Sequence, residues 1–395
     1  MSNQAALSTY VTAQLKAPRI LFVTTGLGGG GAENALLNLC GNIVATRAGA
    51  RIIVICLLAN DEGPIGAALR RLGVTVIPVM GAFRRVGLGQ LARALFELPL
   101  LRPHVVQGWM YHGNAVAWML RTVFFPDTRL VGSVHSLWSQ PKHVSLVLRL
   151  ARNLNRLGAK LDFGHTFFAG RASLEQHVKA GFPAAQSSVL PNGVQFDDDA
   201  SGAIRSECEV SEVPMLVHVS RAHFDKDNEN FLRTVTALET RRYRCDIVVL
   251  GAGLDAEFMD RELPEHRNFL YAKVMALGFR TDVRDFLKKA SVMFLTSKSE
   301  AFPVSLVEGL GAGAVCVGTD VGDCGEIIGD CGATVPPGRP DLLADALVAW
   351  AMESQRNRRA WALRCRARAA SHFSLETMGR LYGQTLTELD ELRVL

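Results

Sequence analysis

Nearly continuous apolar runs alternate with stretches of three-to-four-residue apolar spacing along almost the whole chain. The runs are "RILFVTT" (19–25), "RIIVICLL" (51–58), "VTVIPV" (74–79), "HVVQGW" (104–109) and "RLVGSVH" (129–135). A second series follows in "MLVHVS" (215–220), "CDIVVLG" (245–251), "SVMFLT" (291–296) and "AVCVGT" (314–319). Strands without polar alternation are covered on both faces. The spaced stretches between them, such as "GQLARALFELPLL" (89–101), are read as the covering helices, so an α/β chain with parallel sheets is expected. Two series in 395 residues mean two doubly wound domains. The first is expected over 1–193 and the second over 215–374, joined by the acidic, aperiodic linker 194–214. The helical tail 375–395 is expected to pack back on the first domain.

In open parallel sheets ligands bind beyond the carboxyl ends of the strands. Two such halves facing a central cleft would share one ligand, and the motifs do follow strands. Gly26, Gly28 and Gly31 match G-x-G-x-x-G inside "TTGLGGGGAEN". That pattern puts a pyrophosphate on a helix N-terminus, though the acids after the second strand, Asp61 and Glu62 behind Asn60, come later than a dinucleotide site needs. Four adjacent glycines, Gly28 to Gly31, cost more backbone entropy than a plain turn requires, which favours a loop that meets a ligand.

Arg221 and Lys226, in "HVSRAHFDKDNENFL" (218–232), lie just past the first strand of the second series and suit a diphosphate. The segment "LTSKSEAFPVSLVEGLGAGAVCVGTDVG" (295–322) says more. Glu300 follows a strand, and a helix should start near Pro303, leaving the amides of Val304 and Ser305 free for an anion. Glu308, among Leu306, Val307 and Leu310, could take the vicinal hydroxyls of a ribose, and Glu300 those of another polyol. His135 ends the strand "RLVGSVH"; His104, His112 and His165 have less positional support.

These residues together resemble the retaining glycosyltransferases of family four, which have the GT-B fold of two Rossmann-like domains. Glu300 and Glu308 match the family's E-x7-E element, and Arg221 and Lys226 its basic pair. "LGAG" (250–253), "LGFRTDVRDFLKKASVMFLTS" (277–297), "TVPPGRPDLLADAL" (334–347), "GGAEN" (30–34) and "LPNGV" (190–194) are similar to family segments in the same order. Two positions depart: the family's usual glycine after the lysine is Asp227, and "FFAGRAS" (167–173) lacks the serine-led form.

The resemblance implies a nucleotide-diphosphate sugar donor, UDP-linked in the common case. Glu308 would bind the ribose. Arg221, Lys226 and the amides near Ser305 would hold the diphosphate. Glu300 with the backbone of Ala301, Phe302 and Pro303 would hold the sugar, His135 would lie near it, and the glycine loop, Gly29, Gly30 and Gly31, would approach diphosphate and acceptor. No Asp-x-Asp stands at a strand end, so a metal-independent reaction without a cofactor is expected. A GT-B-like sugar-nucleotide epimerase and a nicotinamide-dependent oxidoreductase using the glycine loop stay open as rival readings.

Charge and composition bound the partners. A formal net charge of +5 is too mild for a nucleic-acid binder and fits anionic lipid or phosphorylated substrates. The stretch "KHVSLVLRLARNLNRLGAK" (142–160) puts Arg149, Arg152, Arg156 and Lys160 on one helical face and Val147, Leu150, Leu154 and Leu157 on another. It reads either as a membrane-surface helix or as a packed helix with a solvated basic side. Without C-x-x-C pairs, a secretory leader or an uninterrupted membrane-length run, the eight cysteines are expected as thiols in the cytoplasm. An enzyme at the inner face of the cytoplasmic membrane, extending a lipid-linked or cell-envelope glycan, is the resulting expectation.

Overall fold

The computed structural model describes residues 17–58, 63–79, 101–138, 145–161, 164–196 and 212–394. The chain divides into two compact units, Met1–Gly193 with Leu375–Leu395, and Val194–Ser374.

In the first unit the strands are β1 (Arg19–Thr24), β2 (Arg51–Cys56), β3 (Thr75–Pro78), β4 (Val105–Trp109), β5 (Arg129–Val134), β6 (His165–Phe168) and β7 (Ser187–Val189). They form one parallel sheet in the order β3-β2-β1-β4-β5-β6-β7. Its described helices are α1 (Gly31–Thr46), α2 (Gly63–Arg71), α3 (Met110–Phe124), α4 (Leu146–Leu161), α5 (Arg171–Lys179) and, from the far end of the chain, α13 (Leu375–Val394). α13 packs on α1. It contributes Met378, Tyr382 and Leu386 to the same core as Ile20, Phe22 and Leu36, and the Tyr382 hydroxyl donates to Gln107 Oε1 at 2.6 Å.

The second unit has β8 (Met215–Val219), β9 (Cys245–Leu250), β10 (Ala272–Gly278), β11 (Val292–Phe294), β12 (Val315–Thr319) and β13 (Gly332–Val335), parallel in the order β10-β9-β8-β11-β12-β13. Its helices are α6 (Asn228–Thr240), α7 (Ala256–Glu262), α8 (Val283–Lys289), α9 (Val304–Ala312), α10 (Cys324–Ile328), α11 (Pro340–Arg356) and α12 (Arg358–Phe373). Leu216, Val217, Ile247, Val248, Met293 and Phe294 are all fully buried, as strands covered on both faces must be.

The nine apolar runs of the sequence are strands, each within one or two residues of its read bounds. Strands β6, β7, β10 and β13 were not read from the sequence: β7 has three residues, and β10 alternates exposed and half-buried positions at a sheet edge. The acids at 60–62, most of 89–101, and residues 197–211 of the expected linker lie outside the described residues. Val194 to Phe196, placed in that linker by the sequence, belong to the second unit, where the Val194 amide bonds Phe373 O at 2.9 Å.

In both sheets the strand order reverses once, between β1 and β4 and between β8 and β11. Connections leave those two strands toward opposite faces, which opens a crevice at their carboxyl ends. The glycine loop follows β1, the basic pair β8 and Glu300 β11.

Candidate active site

In the second unit β8 and β11 are hydrogen-bonded neighbours, with His218 opposite Phe294. The loops that leave them therefore run side by side. The first carries Arg221 and Lys226, the second Glu300. Lys226 Nζ meets Glu300 Oε1 at 2.5 Å, and Ser297 Oγ donates to the same oxygen at 2.6 Å. Ser297 is held in turn through its carbonyl, which accepts from Thr319 Oγ1 at 2.6 Å. Gly322 closes over the loop in the left-handed region at φ 54°. A Cβ there would fall 1.7 Å from Glu300 O, so only glycine fits. Arg221 is exposed and makes no side-chain hydrogen bond or ion pair among the described residues.

The helix after Glu300 begins where the sequence places it. Pro303 is the N-cap of α9, with φ −75° and ψ 94°. The Leu306 amide turns back to Pro303 O at 3.0 Å, while those of Val304 and Ser305 precede the first intrahelical bond. Phe302 packs edge-on to Phe373 at 5.7 Å. Leu306, Val307 and Leu310 are fully buried, and burying each such side chain stabilises by about 2 kcal/mol, so the helix tip is firmly placed.

Glu308 stands four residues along α9, about 6 Å up the axis from Val304. It lines a cavity of about 310 Å³ with Val194, Gln195, Phe196, Val219, Thr281, Val283, Arg284, Leu287 and Gly311. The surrounding protein pushes its carboxyl pKa up to about 6, and the Arg284 charge pulls it back only in part. Its side chain is nevertheless open to water in the cavity, which screens the charge and limits that push. Arg221 and Lys226 are not among the cavity's walls: Lys226 is turned to Glu300 and Arg221 is open to solvent.

In the first unit the glycine loop leaves β1 and α1 begins at Gly31, capped by the Gly30 backbone. Gly29 is left-handed at φ 101°, and added side chains at Gly26, Gly28 or Gly31 would meet nothing within 4 Å among the described residues. Packing within the unit therefore does not explain these glycines. The neighbouring strand β4 ends in Trp109, 1% exposed, whose indole Nε1 donates to Ala32 O at 2.8 Å. Met110 follows with φ 63°, a left-handed backbone that costs an unbranched L-residue and marks a constrained spot at the switch point. His135, after β5, stacks on Trp109 at 4.5 Å and hydrogen-bonds Asn192 Oδ1 at 3.1 Å. Burial lowers its pKa to about 4, so the ring is neutral at physiological pH. Among the described residues no group of three or more His, Cys, Asp or Glu is arranged to hold a metal.

Sequence reasoning found the charged residues but missed Ser297, Trp109, Asn192, Arg284 and Lys298, which touch or orient them. Their only signal was position, one to three residues from a strand end or in a following helix.

The basic stretch lies differently from the sequence reading. The face of α4 that packs is small and polar: Ala151, Arg152, Asn155, Gly158 and Ala159. Arg152 is buried rather than on the basic face, lying over the rings of Tyr111 and Trp138. Val147, Leu150 and Leu157, the apolar face that the sequence left open between membrane and packing, are 65%, 59% and 48% exposed, and Leu146 and Leu161 more than two thirds. Residues 142–144 lie outside the described residues. Among the described residues no helix is long and apolar enough to cross a membrane.

A family model for glycosyltransferase family 4 matches residues 29–198, and one for glycosyl transferases group 1 matches residues 213–352. Each half of the chain thus matches a glycosyltransferase model, and the chain is a family-4-like glycosyltransferase. N-acetyl-alpha-D-glucosaminyl L-malate synthase of Bacillus anthracis is 26% identical over 164 residues, 41% of this chain and 42% of that relative, so the match spans less than half of either protein. Anabaena Alr3699/HepE in complex with UDP superposes with a TM-score of 0.72 at 20% identity, covering 94% of this chain and all of that one. The lipopolysaccharide outer core galactosyltransferase WaaB gives 0.66 at 17% identity, covering 94% and 99%. These likenesses establish the GT-B fold for both units.

Proposed function

We propose that this family member transfers a hexose or N-acetylhexosamine from a UDP-sugar to a lipid-linked or cell-envelope glycan, with retention at the anomeric carbon. The observation that carries the reading is the cluster at the β8–β11 switch point: Arg221, Lys226, Glu300 and the free amides at the start of α9. Breaking the sugar–phosphate bond leaves negative charge on the nucleotide diphosphate. Two cations and a helix N-terminus aimed at that charge stabilise it in place, without a metal. Glu308 accepts the ribose hydroxyls in the 310 Å³ cavity, where the nucleoside lies. Glu300, Ala301, Phe302 and Pro303 hold the sugar.

Lys226 and Glu300 neutralise one another in the empty site. Donor binding exchanges those partners: Lys226 turns to phosphate and Glu300 to sugar hydroxyls. The departing phosphate oxygen accepts the acceptor's proton, so no protein base is required. In the first unit the glycine loop and the neutral His135 serve the acceptor side, with His135 as a hydrogen-bonding group.

The acceptor's lipid explains α4. Five exposed aliphatic side chains on one helix forgo stabilisation of about 1 kcal/mol or more each, and Arg149, Arg156 and Lys160 flank them. An anionic membrane surface matches both properties, which supports the reading of an enzyme working at the inner face of the cytoplasmic membrane.

A thermal-shift panel of UDP-, GDP- and ADP-sugars tests the donor, since a ligand of the native state raises Tm. A UDP-sugar should give the largest rise, unchanged by EDTA. An α-linked product from an α-linked donor supports retention, and a β-linked one refutes it.

A further inference from the structure

We propose that Asp227 and Lys298 form a clamp that keeps Lys226 and Glu300 in register once the donor has separated them; this rests on the donor-site reading above. The loop after β8 contributes a cation and an anion in succession, Lys226 and Asp227. The loop after β11 contributes Lys298 and, two residues on, Glu300. The pairs cross reciprocally: Lys226 Nζ to Glu300 Oε1 at 2.5 Å, and Lys298 Nζ to Asp227 Oδ1 at 3.0 Å. Among the described residues these are the ion pairs that join the two loops.

Asp227 is an unusual residue for its place. It sits in the left-handed region at φ 51° and ψ 60°, a backbone that suits glycine, yet it is 5% exposed and its carboxylate is used twice. Besides Lys298, it accepts from the Asn230 amide at 3.3 Å and so caps α6. Around it the loops are stitched through the backbone. The Lys298 and Ser299 amides donate to Asp225 O at 2.8 and 3.3 Å, and Thr296 Oγ1 donates to Lys226 O at 3.0 Å. An aspartate capping α6 alone would need no lysine opposite it. The partner across the gap is what glycine could not provide.

The consequence follows from the exchange of partners. A diphosphate that draws Lys226 away and a sugar that occupies Glu300 dissolve one of the two cross-loop pairs. The Asp227–Lys298 pair touches neither group and persists, so it fixes where the freed Lys226 and Glu300 stand. Asp227 and Lys298 are positioning residues that act through those two side chains.

Amide hydrogen exchange on the full-length chain tests this without any nucleotide. Lys226→Met removes the first pair. In that background, adding Asp227→Asn, which retains the cap and the tolerance for a left-handed backbone, should speed exchange at Lys298 and Ser299 about fivefold. Lys298→Met should do the same, the two together no more, and Lys298→Arg should leave exchange unchanged. Amides of β11 and α9 should exchange as in the Lys226→Met background in each of these added variants. In otherwise wild-type protein, Asp227→Asn should lower kcat for UDP-glucose hydrolysis about fivefold with KM nearly unchanged, and Lys298→Arg should preserve it. Unchanged exchange in Asp227→Asn, or additive effects of the two substitutions, would overturn the clamp. Wild-type protein that neither binds nor turns over UDP-glucose would contradict the UDP donor alone, because the exchange data stand without it.

Discussion

Lys226 and Arg221 share a motif but differ in setting, and their replacement should separate stability from function. Lys226→Ala leaves the Glu300 carboxylate, whose side chain is 9% exposed, without its cation, which should destabilise the fold by about 3 kcal/mol as well as abolish transfer. Arg221→Ala removes an exposed, unpaired guanidinium. It should lower transfer comparably while urea unfolding shifts by no more than about 0.5 kcal/mol. Glu308 adds a pH dependence. Its carboxyl pKa is raised to about 6, and in the proposed donor site the ionised form is the one that would accept two ribose hydroxyls. UDP affinity measured by calorimetry should therefore fall as pH drops through 6, and Glu308→Gln should flatten the profile at a lower affinity. The sign for folding is opposite: a raised carboxyl pKa favours the folded state at low pH, and that contribution fades as pH rises from the unfolded value through 6. The positions of Glu300 and Lys226 in loops after strands, and of Glu308 within the helix that follows, were legible in the sequence. The direct pairing of Lys226 with Glu300 was not, because it depends on β8 and β11 lying side by side, which sequence periodicity does not reveal.

Helices and strands were legible to different depths. Strand interiors such as Phe22, Val217 and Phe294 announce themselves because burial on both faces admits only apolar side chains. Edge strands do not: β10 carries exposed Lys273, Met275 and Leu277 in alternation. In the helix α4 the sequence left two readings open, for a physical reason. Amphipathic spacing identifies two faces but not which one packs, and here Ala151, Gly158 and Ala159 allow close approach to α3 while Leu146, Leu150, Leu157 and Leu161 stay outside. A vesicle sedimentation assay checks the consequence. Leu150→Asp with Leu157→Asp should abolish binding to anionic vesicles and leave Tm within a degree or two, since both side chains are about half exposed. Binding that survives the pair would remove α4 as the membrane element.

At the scale of the molecule, two doubly wound units were foreseeable from two series of strands, and the departure of α13 from the second unit to the first from the helical tail beyond Ser374. Both units bury neutral histidines. His165 and His177 in the first and His218 in the second have pKa values lowered to about 4 by burial. The unfolded chain binds these protons at a normal pKa, so stability held above pH 6.5 is lost as pH falls toward 4, by roughly 3 kcal/mol per histidine at the lower limit. Tm should stay nearly level from pH 7.5 to about 6.5 and fall from there to 4.5, and a single-site control, His218→Phe, should lessen the fall in the second unit. The central claim concerns charge at one place in that unit. Calorimetric titration with UDP and with uridine, on wild type and on Arg221→Ala, tests it most directly. We expect wild type to bind UDP far more tightly than uridine and Arg221→Ala to lose most of that difference. Equal affinity of wild type and Arg221→Ala for UDP, or no preference for UDP over uridine, would contradict the account.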